Sequence, residues 1–340
     1  MTSGLELAIL VVWTVVVTIF GLVAGLLLLG IDRKLAAHMQ ARVGPPLRQP
    51  FTDVNKLMIK ESVIPANAIP WMFNLAPLVA LISSLIILLY IPLGSIPSPL
   101  GAFGDFVLVM YLLTVPALAM VAGGFASGSP YATVGAQREM VTMIAYEFPL
   151  AIVVVAIAWR LGAAGITDAF SLATIAANPV WGVVGPLGIL GLFMLVIVLA
   201  VVSPAELSRI PFDSQEAETE LAGGLLVEYS GRNLAMFYIA QGVKTLVMGA
   251  IAVAVFFPWN ISSFIAMPYG VSQVVDIIFF LFKVILVMFF SVSLARVAMA
   301  RFRINQIVSL YWVYIGVIGL SGLILLMADA VLVPLAGGII

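Results

Sequence analysis

Cysteine is absent from this 340-residue chain, and histidine occurs once, at His38. Without thiolates or a second imidazole the chain can ligate neither an iron–sulfur cluster nor a bis-histidine haem, so no redox cofactor is expected on it. A disulfide and a cysteine nucleophile are excluded as well. Charge is scarce: charged residues make up 9% of the sequence, against about 25% in a soluble globular protein. No basic n-region precedes the first apolar run, MTSGLELAILVVW, which reads as a retained helix and not as a cleaved signal. No catalytic triad, phosphate-binding glycine loop or metal-ligand cluster occurs, and nothing supports nucleic-acid binding. If the protein takes part in redox work, the electrons travel on other chains.

What is present is hydrocarbon. Apolar residues reach 63%, and several runs exceed the roughly 20 residues that cross a bilayer. The expected fold class is an all-α polytopic membrane protein, a single transmembrane domain over residues 1–340 embedded in the lipid bilayer. Eight spans are predicted, at about Leu5–Gly30, Met72–Ile91, Asp105–Ala126, Glu139–Trp159, Trp181–Val202, Asn233–Phe257, Val271–Arg296 and Gln306–Leu332. Phe51–Ile59 has apolar positions at helical spacing and suits an interfacial helix, and Thr167–Ala177 is a short amphipathic stretch.

Lysine and arginine fix the expected orientation. The loops after spans 1, 3, 5 and 7 carry twelve of them, whereas the opposite loops carry only Arg160. That asymmetry makes the first set cytoplasmic, places both termini outside and assigns the chain to the cell membrane.

The third feature is the segment Ser203–Arg232, which holds six of the sixteen acids of the chain: Glu206, Asp213, Glu216, Glu218, Glu220 and Glu228. Asp213 followed by Glu216 fits a capping box at the start of a helix, on which Glu220 would share their face and Glu218 would point away. Clustered carboxylates at a membrane border repel each other, which suits them to hold or pass protons near neutrality. Glu139 either pairs with Arg138, caps its helix or joins such a path. Glu147, about 12 Å deeper at 1.5 Å per residue, must face protein or water. Lys244 and Lys283 sit within spans and need partners; Asp276, seven residues before Lys283, is one candidate. Those lysines serve either as structural ion pairs or in ion transfer. Asp105 and Asp329 are expected at water-exposed outer helix ends.

Four ordered stretches carry a family resemblance: IDRKLAAHMQARVGPP, GGFASGSPYATVGAQREMVTMIAYEFP, ELSRIPFDSQEAETELAGGLLVEYSG and RVAMARFRINQIVSLYW. Across roughly Ile31 to Trp312 the chain resembles the H-type membrane subunit that anchors the peripheral arm in respiratory complex I and in energy-converting [NiFe] hydrogenases. Arg42–Pro50 (RVGPPLRQP) and Gln137–Met140 look hydrogenase-like, while Ala300 and Asn305 stand where the complex I pattern has proline and aspartate.

The resemblance implies a coupling subunit. Its peripheral partners would be [NiFe]-hydrogenase-like large and small subunits and an iron–sulfur subunit, oxidising ferredoxin; its membrane partners would be antiporter-like subunits. It implies an ion or proton path through Glu139, Glu147, Asp213, Glu216, Glu218, Glu220 and Glu228. Arg42, Arg209, Arg301 and Arg303 would lie at the peripheral-arm contact. A quinone or other lipophilic acceptor site at the cytoplasmic mouth is the alternative, ahead of a passive anchor or a stand-alone transporter.

Overall fold

The computed structural model describes residues 4–265 and 268–332, so residues 1–3, 266–267 and 333–340 lie outside the described part. In chain order the helices are α1 (Gly4–Met39), α2 (Gln49–Ile59), α3 (Pro70–Leu88), α4 (Phe106–Ala126), α5 (Pro130–Ala163), α6 (Leu172–Ala177) and α7 (Pro186–Glu206). There follow α8 (Glu218–Leu221), α9 (Gly231–Phe256), α10 (Tyr269–Met288), α11 (Leu294–Ala298), α12 (Ile304–Ser309) and α13 (Gly316–Leu332). A π-helical turn at Phe289–Ser293 joins α10 to α11, and another at Leu310–Ile315 joins α12 to α13. Among the described residues no strand occurs, and eight helical segments are long and apolar enough to cross a membrane. The protein is an all-α, multi-pass membrane protein.

Helix α9 runs through the middle, with nearly every residue from Ala240 to Phe256 buried. Helices pack this closely in lipid only where side chains are small. A Cβ on Gly25 of α1 would come within 2.7 Å of the Gly242 backbone of α9, and one on Gly191 of α7 within 2.8 Å of the Gly322 carbonyl of α13. Both crossings depend on hydrogen as the side chain.

The connections gather at two ends. At one end the loops around residues 40–69, 127–129, 207–230 and 299–303 meet: Ser62 Oγ accepts from the Arg232 amide at 3.0 Å, and the Phe302 amide donates to the Pro211 carbonyl at 2.9 Å. We call this the polar end. At the other end Trp181 Nε1 donates to the Phe256 carbonyl at 2.7 Å and the Phe106 amide to the Phe170 carbonyl at 2.7 Å.

Several expectations change. Helix α1 continues to Met39, nine residues past Gly30, because Ala36 and Ala37 are buried and Asp32 is tied to α11. Helix α5 opens at Pro130, whose missing N–H costs nothing at the first helical position, and so Glu139 neither caps that helix nor lies at its start. The stretch Thr167–Ala177 is helical only over Leu172–Ala177.

The acidic segment departs furthest. Asp213 opens no helix: turns run to Ala217, α8 is a single turn, and the chain reverses through positive φ at Ala222, Gly223 and Gly224. The capping-box reading of Asp213 and Glu216 and the shared helical face with Glu220 are therefore set aside. The Asp213 carboxylate is held by Arg301 instead, with Nε and Nη2 at 2.8 and 2.7 Å.

Candidate functional site

Three buried elements bring charge to the centre of the bundle. Helix α7 ends at Glu206, which is 2% exposed; α5 supplies Glu139, 1% exposed; α9 supplies Lys244, 7% exposed. An ammonium and two carboxylates survive out of water only when they meet one another. Lys244 Nζ lies 2.7 Å from Glu206 Oε1, and Glu139 sits in the electrostatic field of Lys244, Glu216 and Glu206. Glu147, half-buried two turns further along α5, feels Glu206 and Lys244. Three carboxylates thus share one ammonium.

The surroundings are built to hold them. Pro149 cannot donate to the Ala145 carbonyl, four residues back, yet α5 runs on unbroken. Tyr146, fully buried between Glu139 and Glu147 in sequence, interacts with Glu206 and meets Tyr311 edge to face at 6.4 Å. Tyr311 donates to the Val201 carbonyl of α7 at 2.8 Å, which anchors the aromatic pair. Glu139 Oε2 and Glu147 Oε1 have no hydrogen-bond partner among the described residues. A cavity of about 20 Å³ is lined by Glu139, Glu206, Lys244, Gln241 and Ser208. That is room for about one water molecule, and the rest of the wall is apolar, from Ala80, Pro116, Met120, Leu207, Phe237 and Ala240.

Between this cluster and the polar end lie Glu216 and Arg209. Burial pushes the Glu216 carboxyl up to about 7, with Arg209 opposing and Asp213 adding. Burial pulls the Arg209 guanidinium below its ordinary value, against the attraction of Asp32; Arg296 adds to the lowering and Glu216 resists it. Asp32 in turn accepts from Ser293 Oγ at 2.6 Å and from Arg296 Nη1 at 2.9 Å. Arg209, half-buried, thus lies in the field of α1, α11 and the acidic loop.

The remaining candidates are dispersed. Glu218 and Glu220 are exposed, and Glu220 pairs with Arg138 at 2.6 Å, which removes Arg138 as a partner for Glu139. Glu228 is half-buried in the turn before α9. Arg42 is exposed, donating from Nε to Gln40 at 2.9 Å, and Arg303 is exposed on the same polar end as the Arg301–Asp213 pair. Lys283 belongs to the opposite end, donating to the carbonyls of Phe257 and Trp259 at 2.8 and 2.6 Å. Asp276 is bound to the Ser262 amide and hydroxyl at 3.0 and 2.6 Å, so the expected Lys283–Asp276 pair is not formed. Geometry thus brings Glu139, Glu147 and Lys244 together with Glu206, next to Glu216, and leaves Glu218, Glu220, Glu228 and Lys283 apart from them.

Glu206 stands in the acidic segment but outside the expected ion path, although a carboxylate on the last residue of an apolar helix opposes the helix dipole and thereby asks for a cation. Asp329 does not meet water at an outer helix end as expected. That residue is fully buried and pairs with Arg160, itself 1% exposed, at 3.2 Å. Among the described residues no group of three His, Cys, Asp or Glu side chains could hold a metal ion.

Comparison with known proteins agrees with this architecture. The family model described as NADH dehydrogenase matches residues 11–327. The H subunit of the F(420)H(2) dehydrogenase of Methanosarcina acetivorans is 31% identical over 301 residues, covering 83% of this chain and 82% of that one. The H 2 subunit of the NADH-quinone oxidoreductase of Rhizobium meliloti is 32% identical over 314 residues, covering 87% and 89%. A chain of the membrane-bound sulfane sulfur reductase, an archaeal respiratory membrane complex, superposes with a TM-score of 0.81 at 26% identity, covering 93% of this chain and 99% of its own. With a matched family model across nearly its whole length and relatives of the H type at more than 30% identity, the chain belongs to the NADH dehydrogenase family of H-type membrane subunits.

Proposed function

We propose that this chain is the coupling subunit of a redox-driven, ion-translocating membrane complex. The observation that carries the proposal is the group Glu139, Glu206 and Lys244 at a water-sized cavity, with Glu147 in their field, in the middle of an otherwise apolar bundle. Charges in such a medium act on one another strongly. Adding or removing one proton therefore changes the field on every other member.

In this reading, electron transfer in a peripheral arm alters the charge at the polar end. Glu216, beside Arg209, is the first group inside, and Glu139, Glu206–Lys244 and Glu147 follow in depth. From Glu147 the effect passes to antiporter-like membrane subunits. The arm is of the [NiFe]-hydrogenase type, oxidising ferredoxin through its own iron–sulfur subunit, and this chain contributes no redox centre. The polar end is cytoplasmic and both termini lie outside. Burial of Arg160 in an ion pair supports that orientation, because it leaves the opposite loops without an exposed basic residue among those described.

The test is made in the assembled complex with Glu139→Gln and Glu147→Gln. Acceptor reduction from a soluble donor should persist, while ion uptake into vesicles falls on the order of tenfold or more, as expected where an obligatory membrane carboxylate is neutralised. Unchanged uptake in both variants would leave the chain a passive anchor.

A second reading, a quinone site beside Arg42–Pro50, is favoured by the relatives named for quinone reduction. Arg42 and Val43 are exposed there, so the site would be completed by a partner subunit. Photolabelling of that loop by a short-chain quinone, in the complex, would separate the two readings.

A further inference from the structure

At the polar end two cavities form one groove. The first, about 500 Å³, is lined by Arg138, Glu220, Arg303 and Gln306; the second, about 400 Å³, continues from Phe302, Asn305 and Gln306 down to Leu310 and Tyr314. Both lie in the size range of small-molecule sites, about 300–1,000 Å³. The groove changes character along its length. Its upper part holds two guanidiniums and one carboxylate, a net charge of +1, because Glu220 is already bonded to Arg138 at 2.6 Å. Arg303 forms none of the ion pairs among the described residues, whereas its neighbour Arg301 is neutralised by Asp213. The lower part is apolar and runs onto the membrane-facing side of the chain, where Trp312, Val313 and Tyr314 are half or more exposed.

The backbone is irregular at the same place. Residues Leu310–Ile315 form a π-helical turn, and Leu310 and Tyr314 of that turn make the apolar floor. π-Turns are rare, and they recur at functional sites. A positive rim over an apolar trough, opening at the membrane border, is the shape of an amphiphile with an anionic head.

We propose that this groove binds a single anionic phospholipid. Its phosphodiester, one negative charge, lies against Arg303 and Arg138, and one acyl chain runs over Leu310 and Tyr314. The net charge of the rim selects an anionic over a zwitterionic headgroup, since a second, cationic headgroup charge would face the guanidiniums. Guanidinium and phosphate oxygens suit one another through charge-assisted hydrogen bonds. The site is separate from the central carboxylates, so it holds whether or not those carboxylates carry ions, and it assigns Arg303 to lipid instead of the peripheral-arm contact that the resemblance implies.

The test uses the whole membrane complex, stripped of lipid in detergent and then offered dioleoyl phosphatidylglycerol or dioleoyl phosphatidylcholine. Native mass spectrometry counts the lipid retained on this subunit. Phosphatidylglycerol should be retained about tenfold better, the effect of one charge-assisted contact. Arg303→Gln should bring it down to the phosphatidylcholine level. Ser309→Trp, at an exposed position lining the trough, should abolish retention of both lipids while the complex elutes as before. Inorganic phosphate should leave the lipid bound. Equal retention of the two lipids, retention by Ser309→Trp, displacement by inorganic phosphate, or a cross-link showing Arg303 covered by a partner subunit would each overturn the proposal.

Discussion

Two ion pairs among the described residues are buried at both partners, and they are built differently. Lys244–Glu206 lies in the middle, with Glu139 and Glu147 nearby, so that three carboxylates share one ammonium beside a water-sized cavity. Arg160–Asp329 lies about 20 Å further along α5 from Glu147, at 1.5 Å per residue, with no further carboxylate in the pair. Arg160 also donates to the Val183 carbonyl at 2.5 Å, and Asp329 also accepts from the Gly185 amide at 2.8 Å. Its ionic charges cancel one to one, and the backbone between α6 and α7 supplies further partners. The outer pair ties α13 to α5 and α7. The inner pair carries surplus acid and room for about one water molecule.

The comparison can be broken at either pair, and the largest effects are expected there. Removing one partner of a buried pair costs about 3–5 kcal/mol. Arg160→Met should lower the unfolding temperature of the complex steeply, and Arg160→Met with Asp329→Leu should recover most of the loss together with normal ion uptake. Lys244→Met should also destabilise. Its companion Lys244→Met with Glu206→Leu should regain stability and still fail to translocate ions in vesicles. If the outer double variant also failed to translocate, the distinction between a lock and a proton site would fall.

A smaller effect sharpens the inner site. Because burial raises the Glu216 carboxyl from 4.5 to about 7, the folded state holds its proton over a range where the unfolded chain has lost it. Stability should therefore fall as pH rises through about 4.5 to 7, and Glu216→Gln should flatten that slope in melting curves. The smallest expected change is at the surface. Arg301→Gln breaks the partly exposed bidentate pair with Asp213 and should cost only about 1 kcal/mol, read as a slight drop in unfolding temperature.

Much of the fold was legible because lipid imposes a simple rule. Every backbone group must be satisfied within its own helix, so long apolar runs such as Trp181–Val202 or Asn233–Phe257 could only be spans. The polar ends were harder. Pro130 reads as a loop residue in SPYATVG, yet it begins a helix that carries Arg138 and Glu139 well inside it. The two π-turns leave no trace in hydropathy, since an extra residue per turn does not alter composition.

The acidic segment marks the boundary between the two kinds of knowledge. The sequence alone established that an apolar chain without cysteine, with twelve of its fifteen basic residues in alternate loops, crosses the membrane eight times and gathers six of its sixteen acids in one segment. Which of those acids face inward was decided only in three dimensions. Glu206 turns in to meet Lys244, thirty-eight residues away on another helix, while Glu220, only fourteen residues away, turns out to Arg138. Spacing along one helix constrains its own face, but it cannot say which face of a second helix will lie opposite. That partner sets the cost of burying a charge, and so it selects the carboxylates that stay inside.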